Sequence, residues 1–204
     1  MAGRRWIAAA AAVAFGLTVS GCSSTGEPSS TAPTPSTASS SSASAASTTA
    51  TASDDAQSQA VALVPSYLQM IDDLYLDPSR SLDDIYQVAV APDAVTEATA
   101  IGKFRAQDYQ QTGRVQLVST SVDRVDLTSD PAASPAPTVP TVVVTACVDV
   151  SEVGAVDSTG QSIVPTDRPQ YLVEQLTIVN ADYPDPTSWR VSMASNTQEQ
   201  LCGG

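Results

Sequence analysis

Residues 141–151 read TVVVTACVDVS, and their alternation decides the fold. At a period of two, Val142, Val144, Ala146, Val148 and Val150 share one face, while Cys147 and Asp149 stand on the other. Valine at nearly every place marks a strand with little contact with water. Downstream, a polar excursion reaches Thr166, and Tyr171 to Asn180 reads as a second long strand. The run Asp182-Tyr183-Pro184-Asp185-Pro186 is a turn, after which Trp189, Val191 and Met193 line a last strand. Upstream, Val115 and Leu117 share a face, Val122 falls in the opposite phase, and Val125 and Leu127 return to the first. That phase change predicts a strand bent by a bulge near Asp123-Arg124. The Pro-rich residues 130–140 form the loop between them.

Before Gly113 the period is helical instead. Val61, Val64, Leu68, Ile71 and Tyr75 recur at three and four residues, with Leu63, Tyr67, Met70 and Leu74 widening the stripe, which predicts an amphipathic helix to about Leu76. Pro65 either kinks this helix or starts its firm part. Ser81-Leu82-Asp83-Asp84 resembles a capping box for a short second helix carrying Leu82, Ile85, Tyr86 and Val88. Pro92 opens a third, with Val95, Ala98, Ile101, Phe104 and Tyr109 facing inward and Gly113 closing it. The expected class is α+β: three N-terminal helices packed on a bent four-stranded antiparallel sheet.

A chain of 204 residues is one ordinary domain plus attachments. Histidine is absent, which removes imidazole bases, Ser-His-Asp triads, Cys-His dyads and the commonest zinc ligand together. Nine Lys+Arg against 22 Asp+Glu give a net charge of −13, so the surface repels phosphate backbones and no nucleic-acid partner is expected.

The amino terminus runs from basic (Met1 to Arg5) through a weakly apolar stretch (Trp6 to Val19) to small residues at Ser20-Gly21-Cys22. This is a secretory signal layout, too short for a spanning helix. VSGC closely resembles the bacterial lipoprotein lipobox. The resemblance implies a signal peptide over 1–21, diacylglycerol transfer to the Cys22 thiol and cleavage before it. The mature protein would then be lipid-anchored at the extracytoplasmic face of the cell membrane. Residues 23–55 are almost entirely Ser, Thr, Ala and Pro, so 22–55 is expected to be a lipidated cysteine with a disordered tether, and 56–204 the folded domain.

The helices-then-sheet order over about 57–202 resembles the cone-shaped nuclear transport factor 2-like fold. Several local features are similar to those of small actinobacterial lipoproteins of that superfamily: the Tyr67-to-Tyr75 helix, Gly113, Cys147-Val148-Asp149-Val150-Ser151 followed by Gly160, Trp189-Arg190-Val191 and the terminal Cys202. Enzymes of the superfamily place His/Asp or Tyr/Asp pairs in the cone, and no matching pair aligns here. With Cys22 lipidated and the domain exported, the two remaining thiols, Cys147 and Cys202, are expected to form a disulfide.

Two carboxylates lie inside predicted strands, Asp149 and Glu174, and one sheet face of such a fold lines a cavity. Asp149 lies opposite the valine face, which makes exposure its simpler placement; Glu174 shares a face with Leu172, Leu176 and Ile178 and is the better cavity candidate. The acidic pairs Asp72-Asp73, Asp83-Asp84 and Asp182 with Asp185 lack the spacing of a calcium loop. No nucleophile is paired with a base, and no catalytic residue, metal or cofactor is expected. The reading is a non-enzymatic ligand- or partner-binding module of the cell envelope, its partner an envelope protein or a small apolar ligand. The alternative is a cofactor-free isomerase or cyclase using a carboxylate in the cone.

Overall fold

The computed structural model describes residues 42–197 and 202. Cys22, and with it the signal and lipidation expectations, lies outside the described residues. The chain forms α1 (Ser42–Leu76), a 3-10 helix (Leu82–Gln87), α2 (Asp93–Arg105), and strands β1 (Gln110–Thr112), β2 (Gln116–Asp126), β3 (Thr141–Asp149), β4 (Gly154–Val156), β5 (Tyr171–Asn180) and β6 (Trp189–Thr197).

Helix α1 ends at Leu76 as its stripe predicts, but it begins well upstream of the expected boundary. Residues 42–55, read as tether, are helical. The reason is local: alanines at 43, 45, 46, 50 and 52 are strong helix formers, and no proline intervenes between Pro35 and Pro65. Once buried Ala56 and Ala60 anchor a nucleus, adding further turns costs little. Pro65 sits inside the continuous helix on an exposed position, flanked by buried Val64, Tyr67 and Leu68 whose packing outweighs the lost backbone bond.

The Ser81 hydroxyl accepts from the Asp83 amide at 3.2 Å and starts the 3-10 turn, which plugs the core with Ile85. Helix α2 departs from expectation in two ways. Its buried face is Ala94, Glu97 and Ile101 together with Asp93, whereas Val95 points to solvent, about half exposed. Ile101, Ala98 and Phe104 face the core as their spacing predicts, while two acids, Asp93 and Glu97, take inward positions that an apolar-only count passes over. Gly113 does not close this helix; it follows β1, which pairs with β4 in an unexpected two-stranded ribbon. At Gly113 φ is +68°, and a Cβ would run into the backbone of Glu152, so glycine is required by close approach.

The main sheet has the order β2-β3-β5-β6, all neighbours antiparallel, a four-stranded meander. The bulge expected near Asp123-Arg124 falls between Val122 and Arg124, and a second lies between Leu117 and Ser119. The inner face of β3 (Val142, Val144, Ala146, Val148) is wholly buried and joins Leu176, Ile178 and Val191 of the neighbouring strands against Val64, Ile71 and Leu74 of α1 and Ile101 of α2. Cys147, on the opposite face, pairs with Cys202 across a separation of 55 residues with Cα atoms 5.4 Å apart, fastening the end of the chain to the sheet's outer side.

Arg105 closes α1. Its guanidinium donates to the carbonyls of Leu74 (2.6 Å), Asp77 (3.0 Å) and Arg80 (2.9 Å), so one cation satisfies the orphan acceptors at a helix C-terminus and the turn after it.

Candidate functional site

Two places concentrate chemistry. One is a cleft of about 250 Å³ between α1 and the entry to β2, walled by Pro65, Leu68, Gln69 and Asp72 on the helix and by residues 114–117 on the strand side. At one end polar clasps join α1 to β1 and to the residues just before β2. Asp72 is buried; its carboxylate accepts from the Val115 amide at 2.8 Å and from Gln111 Nε2 at 2.9 Å. Asp73 binds Arg114 at 2.7 Å and Arg80 at 2.8 Å, and Arg80 reaches Asp84 at 3.3 Å. Asp72, Asp73 and Asp84 therefore act as joints. Asp185 caps the Thr187 turn, with Thr187 N at 2.9 Å. Among the described residues no group of three acidic or thiol side chains is arranged to hold a metal.

The second place is interior. The Tyr67 hydroxyl of α1 donates to Asp93 Oδ2 at 2.9 Å, and the other oxygen of Asp93 accepts from the Ala194 amide of β6 at 3.1 Å. Glu97 follows Asp93 by one helical turn, and Glu174 reaches in from β5; Tyr67, Asp93, Glu97 and Glu174 are all buried. Burial, with the charges of Asp93, Glu97 and Glu174 around it, holds the Tyr67 hydroxyl well above its ordinary value, so it remains a proton donor.

The two carboxylates singled out in the sequence are thus kept apart. Glu174 lies on the inner face among Leu172, Leu176 and Ile178. Asp149 lies on the outer face at the end of β3, where its carboxylate accepts from Ser151, with Ser151 N at 2.8 Å, and these bonds hold it below the usual carboxylate range. Asp93 and Glu97 were missed because the helix reading counted apolar side chains alone. The signal was present, since Asp93, Glu97 and Ile101 recur every fourth residue. Trp189 is a core residue, in edge contact with Tyr183 at 6.2 Å, while Tyr171 stands exposed on the outer face of the sheet.

No known protein-family profile matches this chain. No curated protein matches it either. A solved structure described as the crystal structure of the intermembrane space region of chloroplast protein ARC6 is similar with a TM-score of 0.43 and 14% identity, over 66% of this chain and 90% of that chain.

Proposed function

We propose that this chain is a lipid-anchored protein of the cell envelope whose domain works by non-enzymatic binding, with the cleft between α1 and β2 as the seat for its partner. The observation that carries this reading is the cleft itself. Its walls are apolar at Pro65, Leu68, Val115 and Leu117, with Gln69 and Gln116 at an exposed rim. At about 250 Å³ it is smaller than the ~300–1,000 Å³ of drug-sized ligand sites, which favours one inserted side chain of a protein partner. A net charge of −13 selects neutral or basic partners and repels polyanions. The lipobox resemblance at Cys22 supports the envelope address, and the Cys147–Cys202 disulfide accords with an oxidising compartment. The order of helices followed by a four-stranded antiparallel sheet supports the nuclear transport factor 2-like reading.

The test is a photo-cross-linking residue at Gln116 in the full chain, expressed in its own cells. The reading expects one adduct of defined mass, lost when Gln69→Trp fills the cleft and retained when an exposed control such as Thr187 is substituted. Adducts that ignore Gln69→Trp would remove the cleft from consideration. For the address, Cys22→Ser is expected to release the protein from membranes or leave an uncleaved precursor.

One observation favours a second reading, a cofactor-free isomerase or cyclase: Glu174 is buried beside Tyr67, Asp93 and Glu97. Turnover of a small molecule by the purified domain, abolished by Glu174→Gln with the fold intact, would establish it.

A further inference from the structure

We infer that the far half of β2 is a self-pairing edge, at which two copies of this chain join antiparallel through Val122-Asp123-Arg124-Val125 and their sheets become one. The pairing uses the end of β2 away from the cleft at 114–117 and does not rest on the binding proposed there. The sheet order β2-β3-β5-β6 leaves two edges, and the chain treats them differently. Beside β6 runs the segment after the 3-10 helix. The Val191 amide donates to the Val88 carbonyl at 2.9 Å, the Val90 amide donates to the Val191 carbonyl at 2.8 Å, and Asp93 takes the Ala194 amide. Among the described residues no strand pairs with the outer edge of β2. Helix α1 meets the start of β2, where Asp72 holds Val115, and crosses to β6, where Gln59 meets Trp189 near the level at which β2 ends. The far half of β2 thus lies beside the helix, and its inward Val122 and Val125 are only half-buried.

An open edge offers backbone donors and acceptors to any strand, and the side chains along it decide which strand fits. In antiparallel pairing about a two-fold axis, each residue meets the one equally far beyond the axis on the other chain. With the axis through the bulge between Val122 and Arg124, Val122 meets Val125 of the second copy, Asp123 meets Arg124, and Ser121 meets Asp126, so no like charges stand opposite. The bulge also makes the faces agree. Asp123 is its extra residue, so Val122 and Val125 both lie inward, level with Val144 and Val142 of β3, while Asp123 and Arg124 both lie outward. Asp123 reaches across the outer face, where its Oδ2 accepts from Thr145 Oγ1 at 2.6 Å and from Gln175 Nε2 at 3.3 Å. Arg124 is exposed and, among the described residues, makes no ion pair. Moving the axis by one residue would set Asp123 against Asp123 or Arg124 against Arg124, so charge fixes the register. A lone charge on an edge strand repels a second copy, whereas two adjacent opposite charges complement one. The net charge of −13 acts at longer range and is damped beyond about 8 Å at physiological salt, which leaves the edge pairs to decide.

The experiment is sedimentation equilibrium of the purified full chain over a range of concentration, with charge-reversed variants beside the parent. The parent is expected to reach twice the mass of one chain. Arg124→Asp sets acids opposite acids and Asp123→Arg sets cations opposite cations, so each variant alone is expected to sediment as a monomer. An equimolar mixture of the two is expected to restore the doubled mass, because the acidic edge of one meets the basic edge of the other. The chain carrying both substitutions is again self-complementary and is expected to dimerise. Circular dichroism of each variant checks that the fold is kept. Should Asp123→Arg fail to fold for want of the acceptor for Thr145 and Gln175, Arg124→Asp against Arg124→Lys carries the comparison, monomer against dimer. A parent that stays monomeric at every concentration, or a dimer indifferent to Arg124→Asp, would overturn the pairing.

Discussion

The indole N–H of Trp189 donates to Oε1 of Gln59 at 2.9 Å, joining residues 130 apart in the chain. The first residue of the last strand thus fixes a part of α1 lying upstream of the apolar stripe by which that helix is recognised. Trp189 is nearly fully buried, and Ala56 and Ala60 pack in the same core. A chain starting at Val61 is therefore expected to be less stable than one starting at Ser42 by about 2 kcal/mol, from one hydrogen bond and two buried methyls. Equal urea midpoints would show that this stretch of helix adds nothing to the domain.

Arg105→Ala removes a donor from three carbonyls at and after the end of α1, of which that of Asp77 keeps the Arg80 amide. The expected loss is about 2–3 kcal/mol, the scale of charge-assisted bonds. Arg105→Lys is expected to recover little of it, because an ammonium cannot reach three acceptors in the fork geometry of a guanidinium. Thermal unfolding of the three proteins distinguishes a cap from a merely exposed cation.

Cys202→Ser opens a loop of 55 residues. Loop closure on that scale corresponds to about 4 kcal/mol in the chain-entropy account. The measurement is alkylation in denaturant without reductant: the protein is expected to take up no label at Cys147 or Cys202, and to take up label at both after reduction. Two labels before reduction would mean that the bond does not form.

Acid weakens the fold through its turn-capping aspartates. Asp77, Asp126, Asp149, Asp157 and Asp185 are each held below the usual carboxylate range, chiefly by bonds from the residue two places on. A depressed folded value contributes stability above the unfolded value of about 4 and loses it as pH falls through the folded one. The urea midpoint is expected to drop below about pH 4, and Asp157→Ala, which removes the acceptor for Thr159 and Gln161, to make that drop shallower. A midpoint that stays level to pH 2 would contradict this assignment.

The sheet was legible because valine alternation is strong enough to place every long strand and one of its bulges. Val142, Val144, Ala146, Val148 and Val150 all lie on the buried face that their spacing requires. The short β1–β4 ribbon was not, since QQT and GAV carry no periodic signal and pair through backbone alone. The interior acids were hidden for a physical reason as well: Asp93 and Glu97 occupy apolar-type positions of α2, and only the tertiary approach of Tyr67 and Glu174 makes sense of them. Glu174 could be ranked above Asp149 from strand phase, yet its partners could not be named.

Hydrogen exchange on the full chain bears most directly on the proposed binding, compared between the protein in a lysate of its own cells and the same protein purified. Added protection is expected in the lysate at residues 68–72 and 115–117, the two walls of the cleft. Gln69→Trp is expected to abolish that protection while the exchange of β3 and β5 stays unchanged. Identical exchange at both walls in the two states, or added protection confined to other surfaces, would contradict it.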